Sequence, residues 1–172
     1  MFKEVRLCGF GGQGMALAGF LLGKAMALYE DMEAVMTQAY GPEARGGASS
    51  SNVVISDDLI DYPFVQHPDI LVAMSQEAYT TFRPTAKPDA LILIDEDLVT
   101  PFPGDATHGI PATRLAEDLG RRIVANVIML GYFTAVTGLV SREAMEKALA
   151  STLRPKVLAL NLKAFAAGFE YQ

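Results

Sequence analysis

Two stretches combine residue types and spacings suited to holding an anion. Gly9-Phe10-Gly11-Gly12-Gln13-Gly14 fits the pattern GxGxxG between a predicted strand and a predicted helix. Glycines there permit a tight turn and let a phosphate approach the backbone N–H groups at the helix N-terminus. A dinucleotide site needs in addition an acidic residue at the end of the second strand, to bind the ribose. The predicted second strand ends on Gln38, with Glu33 only at its beginning, which weakens the nicotinamide reading. The same glycines also suit close packing of strand on helix, or contact with a neighbouring chain, since both need side chains to be absent.

The second stretch is Tyr40-Gly41-Pro42-Glu43-Ala44-Arg45-Gly46-Gly47. A rigid Gly-Pro step, one acid, one arginine and a Gly-Gly pair allow the backbone to curl into a concave run of N–H groups with a guanidinium beside it. Arg45 is equally able to pair with Glu43 or with a carboxylate of another chain, making the loop an ordered interface element. The candidate ligand-side residues are therefore Gly9, Gly11, Gly12, Gln13 and Gly14 with Tyr40, Gly41, Glu43, Arg45, Gly46 and Gly47.

Other chemistry-bearing residues do not assemble into a site. His67 and His108 have no second histidine, cysteine or carboxylate at ligand spacing, and His67 beside Pro68 reads as loop surface. Asp95-Glu96-Asp97 follows a buried strand and reads as a solvated turn. Ser75 opens a helix after a strand, but Ala73-Met74-Ser75-Gln76-Glu77 lacks the glycines of a nucleophile elbow, so Ser75 reads as a helix cap. Gly104-Asp105-Ala106 with Asn126 partly matches the Gly-Asp-Gly plus asparagine pattern that holds magnesium diphosphate in thiamine enzymes, yet the third glycine is missing and Asn126 falls inside a predicted helix. No residue is assigned as catalytic and none as a metal ligand.

The elements that must position the two stretches alternate. Strands are predicted at 4–10, 34–38, 52–56, 70–74 and 91–95, with a weaker one at 106–110; the runs 70–74 and 91–95 are apolar throughout and suit central parallel strands. Helices are predicted at 15–28, 75–82, 113–119, 123–137, 141–149 and 155–167. Strands alternating with helices, followed by a helical C-terminal part, predict an α/β three-layer sandwich with a mostly parallel central sheet.

At 172 residues, 51% of them apolar, the chain suffices for one sizeable core, so residues 1–172 are expected to form a single domain. Fourteen basic against twenty acidic residues give a net charge of −6, with neither sign gathered into a run that would attract nucleic acid or an anionic membrane. The apolar stretch 123–140 is interrupted by Asn126, Gly131, Thr134, Thr137 and Gly138, and reads as a core helix rather than a bilayer span. A lone Cys8 in an apolar run and a start without the features of a secretory signal predict a reducing, cytoplasmic setting.

The two glycine-bearing stretches, together with Val53-Val54-Ile55-Ser56-Asp57, the run from Pro68 to Tyr79, Ile94-Asp95 and Asn126 to Gly131, resemble in order and spacing the gamma subunit of 2-oxoacid:ferredoxin oxidoreductases. The Tyr40–Gly47 loop is the specific part. Two positions depart from the family pattern: Ala39, where a serine often precedes the tyrosine, and Ser50, where an arginine is common in the 2-oxoglutarate type.

The resemblance implies a share in a thiamine-dependent reaction, in which a 2-oxoacid, coenzyme A and oxidised ferredoxin give an acyl-CoA, carbon dioxide and reduced ferredoxin. Iron–sulfur clusters need groups of cysteine ligands, so thiamine diphosphate, magnesium and the clusters are expected on alpha, beta and possibly delta subunits. This chain is expected to support assembly and the coenzyme A side of the active site, with the 2-oxoglutarate type favoured. Two alternatives stand beside this: a stand-alone nucleotide-binding or regulatory module that uses the glycine turn, and a purely structural subunit whose loops serve packing.

Overall fold

A computed structural model of the protein describes residues 1–39 and 47–172. Six strands form one mixed sheet: β1 (Phe2–Phe10), β2 (Glu33–Ala39), β3 (Ala48–Ser56), β4 (Ile70–Ala73), β5 (Leu91–Asp95) and β6 (His108–Ile110), in the spatial order β2-β3-β1-β4-β5-β6. β1, β4, β5 and β6 run parallel, while β3 is antiparallel to both of its neighbours. β4 and β5 are the central parallel strands that their apolar runs predict.

The six helices are α1 (Met15–Tyr29), α2 (Gln76–Phe82), α3 (Ala112–Asp118), α4 (Ala125–Thr137), α5 (Arg142–Thr152) and α6 (Pro155–Phe169), with 3₁₀ turns at Arg83–Thr85 and Arg122–Val124. Val5, Leu7, Val53, Ile55, Val72 and Leu93 point to one face of the sheet, where α1 and α3–α6 cover them. Cys8, Leu71, Ala73, Ile92 and Ile94 point to the other, where α2 supplies Ala78 and Tyr79. The layers are three, as predicted, and unequal.

Local signals set the helix ends. Ser75 and Ser141 cap α2 and α5 through hydrogen bonds from Ala78 N and Ala144 N, Pro155 opens α6, and Gly138 closes α4 in the left-handed conformation. Gly131 of α4 and Gly168 of α6 face each other's helix so closely that a Cβ on either would meet backbone atoms of the opposite helix.

β3 is longer than its predicted span of 52–56, because the polar run Ser49-Ser50-Ser51 joins it. These side chains are small enough to be buried in a sheet. Ser51 lies under Gly19 of α1, where any side chain on the glycine would strike its hydroxyl. The reading of 95–97 as a solvated turn is corrected for Asp95, which is completely buried. Its carboxylate accepts bonds from Thr113 N at 2.9 Å and Thr113 Oγ1 at 2.7 Å, so it serves the first turn of α3. Among the described residues no helix is long and apolar enough to cross a membrane.

Candidate functional site

β1 and β4 are parallel neighbours whose following helices leave for opposite faces, α1 to one and α2 to the other. Their carboxyl ends thus flank the kind of crevice in which open α/β sheets bind ligands. The glycine turn lies in that crevice. Gly12 (φ 91°) and Gly14 (φ 77°) hold left-handed conformations that L side chains rarely adopt, and Gly14 is the residue from which α1 starts.

Gln13 closes the turn. Its Oε1 accepts from Phe10 N at 2.6 Å, its Nε2 donates to Met74 O at 3.0 Å, and its own N–H donates to Phe10 O at 3.1 Å. The side chain therefore bridges the end of β1 to the end of β4. A Cβ at Gly9 would strike the Gln13 amide and displace it from this bridge. Asn126, near the start of α4, donates from Nδ2 to Gly14 O at 3.1 Å while its Oδ1 accepts from Val127 N at 2.9 Å. In the sequence Asn126 reads as a break in an apolar stretch and as a diphosphate ligand that does not fit, and neither reading gives it this contact. The signal for its real role is a single asparagine in the first turn of an otherwise apolar helix, a place where a buried amide must find backbone partners.

Two cavities flank the turn. One of about 250 Å³ lies between Gly12 and Gln13 and the segment Arg122–Ala125, with Thr113 beside it. The other, of about 280 Å³, lies between Gly11, Gly12 and Gly14 and the facing ends of β2 and β3 at Gln38 and Ser49. Because β3 runs back along β2, the end of β2 and the start of β3 both lie at this same pole, Ala39 pairing with Ser50 and Phe10 with Ala48. Gly47 is buried at the entry to β3. Tyr40, Gly41, Glu43, Arg45 and Gly46 lie outside the described residues.

The topology bears on the dinucleotide reading. β3 stands between β1 and β2, so the second strand is not the neighbour of the glycine turn, and Glu33 pairs with Ser56 at the far end of the sheet. An acid positioned there cannot reach a ribose bound at the turn.

The thiamine-like pattern is separated as well. Asp105 receives two bonds from Arg83, Nε to Oδ2 and Nη2 to Oδ1, both at 2.9 Å, and a third from the Tyr79 hydroxyl, on the α2 face. The hydrogen-bonded Arg83 holds the Asp105 carboxyl below the usual carboxylate range. Asn126 belongs to α4 on the opposite face, so the two residues do not fit a magnesium diphosphate. His67 is exposed, with Nδ1 3.0 Å from Thr85 O. Burial pushes the Cys8 thiol up, leaving it a core residue rather than a nucleophile.

Residues 4–171 match the family model described as pyruvate ferredoxin/flavodoxin oxidoreductase. The chain belongs to this family. It is 51% identical over 175 residues to the 2-oxoglutarate synthase subunit KorC of Methanocaldococcus jannaschii, a match spanning 99% of this chain and 94% of that one. The crystal structure of the keto/oxoacid ferredoxin oxidoreductase gamma subunit from Geobacter sulfurreducens superposes with a TM-score of 0.90 at 42% identity, covering 99% of this chain and 95% of that one. The 2-oxoglutarate:ferredoxin oxidoreductase of Magnetococcus marinus, solved with 2-oxoglutarate, coenzyme A and succinyl-CoA bound, shares the fold at 22% identity and TM-score 0.85, but only 30% of its chain is covered. The family chain is thus the gamma subunit of a multi-subunit 2-oxoacid:ferredoxin oxidoreductase, and the same fold also occurs as part of a longer polypeptide.

Proposed function

We propose that this gamma subunit serves an oxidoreductase of the 2-oxoglutarate type, and that its glycine turn and residues 40–47 form the coenzyme A side of the assembled active site. The substrate class follows the half-identity to a 2-oxoglutarate synthase subunit along nearly the whole chain. The observation that carries the site is the placement of the GxGxxG turn and both ends of the 40–47 segment at one pole, around two cavities at the carboxyl ends of the strands.

In this reading the chain binds and orients rather than transforms. Gly12 and Gly14 let an anionic group approach the backbone at the start of α1, and Arg45 contributes a guanidinium. Gln13 and Asn126 fix the shape of the turn through Phe10, Met74 and Gly14. Thiamine diphosphate and iron–sulfur clusters, which supply decarboxylation and low-potential electron transfer, belong to the alpha, beta or delta partners. Among the described residues no three His, Cys, Asp or Glu groups are placed to hold a metal.

The test is Arg45→Ala in the assembled enzyme. A charge-assisted hydrogen bond to phosphate is worth about 1.5–3 kcal/mol, so the coenzyme A requirement should rise roughly 10- to 100-fold with the complex intact. Unchanged coenzyme A kinetics remove the direct role, and loss of the complex at normal coenzyme A affinity favours the purely structural subunit.

A further inference from the structure

The chain between β3 and β4, residues 57–69, contains no helix or strand. Connections of this length without regular structure are uncommon in compact domains and are usually either functional loops or linkers. It lies at the amino ends of β1 and β4, the pole opposite the glycine turn, because Ser56 pairs with Phe2 and Ile70 with Val5.

Its base is pinned. Val65 is buried and its carbonyl accepts from Arg6 Nη2 at 2.7 Å. Asp69 accepts from Glu4 N at 2.8 Å and from Lys87 Nζ at 2.6 Å. The tip, by contrast, turns apolar groups to solvent. Leu59 is 78% exposed, Tyr62 55% and Phe64 54%, the two rings meeting edge to face at 5.5 Å. Phe2, 53% exposed, adds to the same end. Asp57, Asp58 and Asp61 are exposed among these groups, Asp57 pairing with the N-terminal ammonium of Met1, and residues 57–69 include no lysine or arginine.

We propose that this aromatic tip is a docking surface, distinct from the glycine-turn pole, for an apolar pocket rimmed by lysine or arginine on a partner subunit of the oxidoreductase. Aromatic anchors at the centre of a contact carry most of its binding energy, and their fixed base lowers the ordering cost. The negative charge of Asp58 and Asp61 beside them sets the sign of the partner's rim. A partner held at this pole leaves the opposite one open, so the inference rests on membership of a multi-subunit enzyme and not on the coenzyme A reading.

The test measures the affinity of the full chain for the remaining subunits, using Tyr62→Ser/Phe64→Ser and, separately, Asp58→Lys/Asp61→Lys. The first is expected to raise Kd at least about tenfold, with circular dichroism and Tm of the isolated chain unchanged. The second is expected to weaken binding at low salt, with the difference shrinking as salt rises. Unaltered affinity in both variants overturns the proposal, and so does tighter binding after charge reversal. It is also overturned if the isolated wild-type chain is a dimer that the aromatic variant splits, since the occupant is then a second copy. Altered coenzyme A kinetics in a fully assembled aromatic variant overturn the separation of the poles, whereas failure of the Arg45 test leaves the proposal standing. If the aromatic variant fails to fold, the charge reversal decides alone.

Discussion

On the face covered by α1 and α3–α6, sheet and helices meet through Leu7, Val53, Leu21, Leu22, Leu130 and Phe133, all essentially without solvent contact. On the α2 face, the middle of β1 instead presents a guanidinium. Arg6 is buried, with Nε donating to Asn52 Oδ1, Nη1 to Thr85 Oγ1 and Nη2 to Val65 O, each at 2.7 Å, and its plane lies 5.2 Å from the centre of the Phe82 ring. All three hydrogen-bond acceptors are neutral, and burial pulls the Arg6 pKa down from its ordinary value. The difference teaches how the chain covers a sheet. Where five helices are available, apolar area does the work at about 25 cal/mol per Å². Where only one seven-residue helix is available, a single long side chain ties a loop and a 3₁₀ turn to the strand. Such a tie adds little net stability, because desolvating the charge offsets most of what three hydrogen bonds return. What it fixes is position, including that of the loop proposed above to dock.

Three substitutions can break or sharpen this contrast. Phe133→Ala in α4 is expected to cost the most, about 3–5 kcal/mol of unfolding free energy, read from urea denaturation. Hydrogen exchange should accelerate across the whole sheet. Arg6→Met is expected to cost less, about 1–2 kcal/mol, with faster exchange concentrated in residues 57–69 and 83–86. A global loss matching that of Phe133→Ala would mean that the polar tie is as structural as the apolar core.

The smallest effect is expected from Asp105→Asn, on the same face as Arg6. Arg83 holds the Asp105 pKa below its unfolded value, so this contribution is present above the unfolded carboxylate pKa of about 3.9 and is lost as pH falls through the folded value. The variant should be about 1 kcal/mol less stable than wild type at pH 7. The gap should narrow as pH falls below about 4, which paired denaturation curves at the two pH values would measure.

Much of the frame was legible because its signals are local. The apolar runs of β4 and β5, Ser75 before α2, and the glycines between β1 and α1 each declare a conformation within a few residues. The polar start of β3 was not legible, since nothing local marks Ser49-Ser50-Ser51 as strand, and only the fold shows Ser51 packed under Gly19 of α1. Strand order was hidden for the same reason: pairing β3 between β1 and β2 depends on contacts distant in sequence. Of the site, the GxGxxG turn stood out by pattern, whereas Asn126 reaches Gly14 across 112 positions and Gln13 reaches Met74 across 61. Arg6 was passed over and Asp95 was read as solvated because a charged side chain in or beside a strand is expected at the surface, and only tertiary partners justify its burial.

The reversal of β3 has a consequence for how such a subunit can diversify. A hairpin gains or loses residues at modest entropic cost while its two strands keep their neighbours. Length changes between Ala39 and Ala48 would therefore reshape the rim beside the glycine turn, and the rest of the sheet would need no compensating adjustment.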